Sequence, residues 1–60
     1  MKLNEMYTSY EGNVFKIKGV YTKDDENDPW VDYVNVKTLQ EYSCRQAAFL
    51  SRFSRLPDSN

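Results

Sequence analysis

The sequence contains no histidine, a single cysteine, two glycines and two prolines among its 60 residues. Without histidine it lacks the commonest general base and the commonest transition-metal ligand. Cys44 has neither a second cysteine for an intramolecular disulfide nor an imidazole to activate its thiol. We therefore predict no catalytic residue, no metal site and no cofactor. Cys44 is interpreted as a small buried hydrophobic residue in a protein of the reducing cytoplasm.

Long apolar runs and a large net charge are also missing. No run approaches the roughly 20 apolar residues that span a bilayer, so no membrane segment is predicted. Eight basic and nine acidic residues leave a formal charge of −1, which provides no overall field for a phosphate backbone. With 40% apolar residues and 15% aromatic residues, the composition is that of one folded domain over residues 1–60. We expect its ordered core at about 7–56 and a tail at 57–60.

The clearest local pattern is an alternation from Asn13 to Thr22, which predicts a half-buried strand. Its inward positions are Phe15, Ile17, Gly19 and Tyr21. A glycine on the inward face, here Gly19, is typical of a bulge or sharp bend. Before the strand, Glu11-Gly12-Asn13 tolerates positive φ and predicts a tight turn.

The rest of the chain predicts a second strand, a third strand and a helix. The polar run from Lys23 to Pro29 is a loop, and Trp30 to Lys37 is rich in β-branched and aromatic residues. A short strand follows at Tyr42 to Arg45, and the segment 47–56 has helical spacing. We predict a mainly β fold, a strongly bent antiparallel sheet or barrel with a short C-terminal helical segment. The predicted core is Phe15, Ile17, Tyr33, Phe49 and Phe53.

Several short elements, in order, resemble a family of short bacterial and bacteriophage proteins. They are Tyr7-x-x-Tyr10-x-Gly12-Asn13, Gly19-Val20, Val31-x-Tyr33, Arg45 and Phe49-Leu50-x-Arg52-Phe53. The family is a domain of unknown function with the pattern Y-x-H-Y-K-G-N, G-V, V-V-Y, W-V-R-P and a Phe-rich end. The resemblance implies an SH3-like barrel and no assigned activity. Ser9 stands where the family has histidine and Gln46 where it has proline, so a role of that histidine does not carry over.

The candidate partner-binding residues are aromatic side chains near turns and the charged residues around the loop. Tryptophan and tyrosine are enriched at binding hot spots, and concentrated charge steers association. Trp30 is favoured for the core, whereas Tyr7 and Tyr10, outside the predicted strands, suit core or contact equally. The candidates are Tyr7, Tyr10, Trp30, Asp24, Asp25, Glu26 and Arg45.

One alternative role for the acidic residues of the loop from Lys23 to Pro29 is to bind calcium. Asp24, Glu26 and Asp28 have the spacing of the first ligands of a calcium loop, but Pro29 and Asn35 occupy the positions of the required glycine and bidentate glutamate. The run is therefore interpreted as a solvated loop or an acidic contact surface.

These residues predict a non-enzymatic protein-binding module, and the resemblance implies a phage or bacterial accessory protein that acts on a larger host protein. One alternative is a small nucleic-acid-binding barrel that uses stacking tyrosines and a basic groove. Its basic residues would be Lys16, Lys18, Arg45, Arg52 and Arg55. The other alternative is a structural homodimer in which the C-terminal helix packs against a second copy.

Overall fold

In a computed structural model of the chain, which describes residues 1–23 and 27–57, five antiparallel strands form one sheet and a short helix covers part of its inner face. The elements are β1 (Met6–Ser9), β2 (Val14–Tyr21), β3 (Trp30–Asn35), β4 (Glu41–Arg45), α1 (Gln46–Arg52) and β5 (Phe53–Arg55). The strand order is β4-β3-β2-β1-β5, so β4 and β5 are the two edges. The predicted mainly β class and strongly bent sheet are confirmed, and the sheet is not a closed barrel.

A bulge in β2 changes which residues of this strand face the core. The register with β3 shifts between Ile17 and Gly19, as at a β-bulge. A β-carbon on Gly19 would lie 3.4 Å from Asp32 Oδ2. After the bulge, Val20 packs against the core and Tyr21 is exposed. The predicted bulge at Gly19 is confirmed, whereas the predicted inward positions of Gly19 and Tyr21 are wrong because the bulge reverses the alternation.

The first and last strands differ from the sequence prediction. Tyr7 was expected outside the strands, but it lies in β1, which pairs with both β2 and β5. The helix was expected over 47–56, but it ends at Arg52, and Phe53 adopts extended backbone with φ −123° and ψ 149°. Phe53 then pairs with Ser9 across β1 and β5. Ladder hydrogen bonds to β1 stabilise this segment as a strand and override its helical spacing.

The core consists mainly of aromatic rings on the inner face of the sheet. Phe49 from α1 is fully buried, and its ring meets Tyr7 at 4.9 Å and Tyr33 at 4.8 Å between centroids. Phe53 is only partly buried but packs against the same cluster. The buried hydrophobic residues are Tyr7, Phe15, Ile17, Val31, Tyr33 and Phe49. Edge-to-face contacts between such rings stabilise a core by more than their buried area alone.

Two further features fix the ends of the sheet. Arg55 of β5 forms an ion pair with Glu5, with 3.1 Å between Nε and Oε2, beside the start of β1. In the turn between β3 and β4, the buried Asn35 accepts hydrogen bonds from the backbone N–H groups of Lys37 and Thr38 through Oδ1, at 2.9 and 3.1 Å. Of the predicted tail at 57–60, Pro57 is exposed and the remainder lies outside the described residues.

Candidate functional site

A groove of about 540 Å³ opens at the end of the sheet where β1 ends and β2, β4 and β5 begin. Helix α1 runs from the end of β4 to the start of β5, and the groove lies beside its last residue, Arg52. The groove is therefore the part of the inner face that α1 leaves open. Its lining residues are Ser9, Tyr10, Glu11, Asn13, Phe15, Tyr33, Tyr42, Arg52 and Phe53. We call this surface the aromatic groove.

The floor of the aromatic groove is the edge of the hydrophobic core. Phe15 and Tyr33 are buried and meet edge to face, with 5.5 Å between ring centroids. Phe53 contacts both rings, at 4.9 Å from Phe15 and 5.6 Å from Tyr33. Because these rings pack against one another, a ligand in the groove would meet a surface already held in place by the fold.

One wall of the groove is the turn between β1 and β2, which presents Tyr10. The Ser9 N–H donates to the Asn13 carbonyl at 2.9 Å, and the Gly12 N–H donates to the Ser9 carbonyl at 3.0 Å. Ser9 Oγ also accepts from the Asn13 N–H at 3.2 Å. Gly12 has φ +90°, as its place in the sequence predicted. The turn is thus fixed by its own hydrogen bonds, and it leaves the Tyr10 side chain fully exposed.

The opposite wall is Tyr42 of β4, with charged residues at the rim. The Tyr42 ring stacks on Tyr33, with 5.4 Å between centroids and 21° between planes, yet 45% of the residue is exposed. Glu11 and Arg52 add one charge of each sign. The groove therefore combines aromatic surface with no excess of either charge, a composition suited to binding an apolar side chain.

Tyr33 is the titratable residue in the floor whose environment is most altered. Burial, assisted by the neighbouring Cys44, raises the pKa of its hydroxyl to about 12. The hydroxyl is thus neutral at physiological pH and serves the packing of the core. Cys44 packs against the core as predicted, but it is half-buried rather than buried.

The other face of the sheet carries a second group of side chains, around Trp30. The Lys23 ammonium lies 4.8 Å and the Arg45 guanidinium 5.0 Å from the indole centroid. Nearby, Asp32 Oδ1 accepts hydrogen bonds from the Tyr21 hydroxyl at 3.1 Å and the Ser43 hydroxyl at 2.8 Å. Trp30 does not belong to the core cluster, so its favoured assignment to the core is wrong. The neighbouring Val31 takes the inward position on β3 instead.

The structure separates the predicted partner-binding residues. Tyr7 is 4% exposed and belongs to the core, so it offers no contact surface. Tyr10 lies at the aromatic groove, whereas Trp30 and Arg45 share the other face. Asp24, Asp25 and Glu26 lie outside the described residues. Sequence reasoning placed Tyr42, Arg52 and Phe53 in a strand or helix but not together in a site, because residues distant in sequence meet there only through the fold.

The proposed basic set does not form a single surface. Lys16 and Lys18 line a cleft with Val34, Val36 and Leu39 between β2 and the β3–β4 turn. Arg52 lies at the aromatic groove, and Arg55 is paired with Glu5. Lys16, Lys18 and Arg45 face the outer side of the sheet, whereas Arg52 lies at the groove on the inner side, so the positive charges of this set are divided between two faces.

Residues 1–23 and 27–57 contain neither of two other kinds of feature, a metal-binding cluster or a membrane-spanning helix. Within them no group of three acidic, cysteine or histidine side chains is placed to hold a metal ion. No helix there is long and apolar enough to cross a membrane. Comparison of the chain with family models, curated proteins and solved structures gives no match. The resemblance to the phage and bacterial family therefore stays a prediction.

Proposed function

We propose that the protein is a non-enzymatic protein-binding module that receives an apolar side chain of a larger partner in the aromatic groove. The observation that carries this proposal is the full exposure of Tyr10 opposite the half-exposed Tyr42, above a floor of packed rings. Large aromatic side chains supply much of the binding energy at protein interfaces because they bury a large area with few rotatable bonds. Exposed rings on a fixed frame therefore suit recognition of a partner.

The charges favour a protein partner over a nucleic acid. The groove has one acidic and one basic residue, and the other basic residues are divided between separate surfaces. Single-strand binders combine stacking rings with a continuous positive groove that follows the phosphates. Here the rings are present without that groove, which supports a protein or peptide ligand. As part of the proposal, the partner is a bacterial host protein in the cytoplasm, an assignment supported by the resemblance and by the free thiol of Cys44.

The experiment compares capture of proteins from bacterial lysate by the parent and by two variants. Tyr10→Ala removes a groove ring, and Leu50→Ala removes an exposed apolar side chain on α1 outside the groove. Loss of one hot-spot ring should reduce capture of a specific partner by about tenfold or more. Leu50→Ala should capture that partner as the parent does.

Two outcomes would contradict the proposal. If Tyr10→Ala captured the same partner in the same amount, the groove would not be the binding site. If nuclease treatment of the lysate abolished capture, the nucleic-acid alternative would replace a direct protein contact. Thermal melting of both variants, measured in parallel, establishes that any loss of capture is not a loss of folding.

A further inference from the structure

Strand β4 forms one edge of the sheet, and its hydrogen-bonding groups alternate in direction. Asn35 N–H donates to Gln40 O at 2.9 Å, and Gln46 N–H donates to Pro29 O at 2.8 Å, one at each end of the β3–β4 ladder. In an antiparallel ladder, bonded and non-bonded pairs alternate. The backbone groups of Tyr42 and Cys44 therefore face β3, whereas those of Glu41 and Ser43 and the N–H of Arg45 face outward, where no described strand pairs with them. The carbonyl of Arg45, the N-cap residue of α1, belongs to the first turn of the helix.

The outward edge is accessible and carries one charge near each end. Glu41, Tyr42 and Ser43 are exposed, and Cys44 and Arg45 are half-buried. Glu41, Ser43 and Arg45 share the face of the sheet that bears Trp30, and the Arg45 side chain is held there against the indole ring. The edge thus has an acid and a base placed symmetrically about Ser43.

We propose that β4 pairs with β4 of a second copy of this chain, antiparallel and with Ser43 opposite Ser43. This register places Glu41 of each copy directly opposite Arg45 of the other, so the two-fold axis generates the charge pair twice. The outward backbone groups of both strands then form the bonded pairs of a new ladder. Two five-stranded sheets would join into one continuous sheet of ten strands.

The same charges select this register over its neighbours. A shift that places Glu41 opposite Glu41, or Arg45 opposite Arg45, sets like charges across the pair, which is destabilising. A shift that places Glu41 opposite Ser43 forms neither charge pair. Charged residues on an edge strand generally oppose pairing with other chains. Here their symmetric spacing opposes arbitrary partners and favours a second copy of the chain.

The decisive experiment mixes two charge-reversal variants and measures mass by sedimentation equilibrium. In Glu41→Lys each copy has two basic residues on the edge, and in Arg45→Glu each has two acidic ones. Each variant alone should dimerise at least about tenfold more weakly than the parent, since both charge pairs become repulsive. In an equimolar mixture the two variants should form a heterodimer. The lysine introduced at position 41 of one copy then faces the glutamate introduced at position 45 of the other, and Arg45 of the first copy faces Glu41 of the second.

Lys37→Glu is the control for net charge, because it changes the charge by the same amount as Arg45→Glu. Lys37 is exposed in the β3–β4 turn, away from the proposed contact, so this variant should dimerise like the parent. A parent that stays monomeric at several hundred micromolar would overturn the proposal. Unchanged dimers in both reversal variants would do so as well, as would a mixture that does not associate.

Amide hydrogen exchange of the unmodified protein tests the pairing even if a reversal variant fails to fold. Raising the protein concentration should slow exchange at Ser43 and Glu41, whose N–H groups face outward, whereas Tyr42 is protected by β3 at every concentration. Exchange at Ser43 that does not change with concentration would contradict pairing at this edge.

Discussion

The rings of Tyr33 and Tyr42 stack across β3 and β4, with centroids 5.4 Å apart and planes inclined by 21°. Tyr33 is 6% exposed, whereas Tyr42 is 45% exposed, so one stack connects the core with the surface. The aromatic groove has no separate supporting structure, because its floor is the core itself. Mutations in the floor should therefore affect folding first, and mutations in the walls should affect binding.

Replacement of Phe15 by alanine should remove most of the stability of the protein. Its ring is buried and contacts Tyr33 and Phe53. Deletion of a buried phenylalanine ring costs about 3 to 5 kcal/mol, and a domain of this size has a total stability of about 3 to 9 kcal/mol. Denaturant unfolding followed by circular dichroism measures the loss. The control Leu50→Ala removes an exposed side chain and should stay within about 0.5 kcal/mol of the parent. A Phe15→Ala protein as stable as the parent would exclude Phe15 from the core.

Stability should fall at alkaline pH because Tyr33 resists ionisation in the folded protein. Its pKa is raised from 10.0 to about 12, mainly by burial, so between these values the unfolded chain loses a proton that the folded protein retains. The contribution of this group is complete below pH 10 and is lost as the pH rises toward 12. The expected loss is about 2 to 3 kcal/mol. Denaturant unfolding from pH 9 to 12 measures it.

Tyr33→Phe is the matched variant for this pH dependence, since it keeps the ring and removes the ionising group. Its stability should decline less steeply between pH 10 and 12 than that of the parent. If both proteins gave the same slope, ionisation of Tyr33 would not be the cause of the alkaline loss.

The ionised carboxylate of Glu5 should stabilise the folded protein, and this stabilisation should be lost at acid pH. A hydrogen bond from the backbone N–H of Lys2, at 3.0 Å, holds the pKa of the Glu5 carboxyl below its ordinary value, and Arg55 acts in the same direction. A lowered pKa gives stability that is present above pH 4.5 and is lost as the pH falls through the folded value. Glu5→Gln should therefore melt at a lower temperature than the parent at pH 7, with a smaller difference at pH 3. A constant difference across this range would mean that the charge of Glu5 is not involved.

The strands that could be predicted are those long enough to show a pattern. β2 has eight residues and β3 has six, and alternating side chains marked both. β1 and β5 have four and three residues, too few to show a period. Moreover, Phe49 and Phe53 have helical spacing, and only the pairing of Phe53 with Ser9 on β1 decides that α1 ends before Phe53. That pairing joins residues far apart in sequence, which local patterns do not reveal.

Only part of the candidate site could be predicted from the sequence. Tyr10 stands out because it precedes a turn marked by Gly12, and the φ of Gly12 agrees with that reading. Trp30 was wrongly assigned to the core because its large apolar ring favours burial. Its pairing with Tyr21 and Arg45 places the ring on the outer face of the sheet, away from the core. The meeting of Tyr42 and Phe53 at the groove depends on the bend of the whole sheet.

The turn that carries Tyr10 offers a test that separates folding from binding. Gly12 has φ +90°, where an L-residue is strained, and no atom of the described residues outside positions 11–13 lies within 4 Å of the position that a β-carbon would occupy. Gly12→Ala should thus lose about 1 to 2 kcal/mol through backbone strain alone. D-alanine at position 12, introduced by chemical synthesis, favours positive φ and should retain the stability of the parent. Tyr10→Ala, which removes a fully exposed ring, should melt within a few degrees of the parent.

Thermal melting of the three proteins, with partner capture measured in parallel, distinguishes these roles. The expected pattern is lower stability with normal binding per folded molecule for Gly12→Ala, and normal stability with weak binding for Tyr10→Ala. If D-alanine destabilised the protein as much as L-alanine, backbone strain at Gly12 would not explain the loss. If Tyr10→Ala unfolded the protein, Tyr10 would have to be assigned to the core, and the groove would lose the ring on which the proposed binding depends.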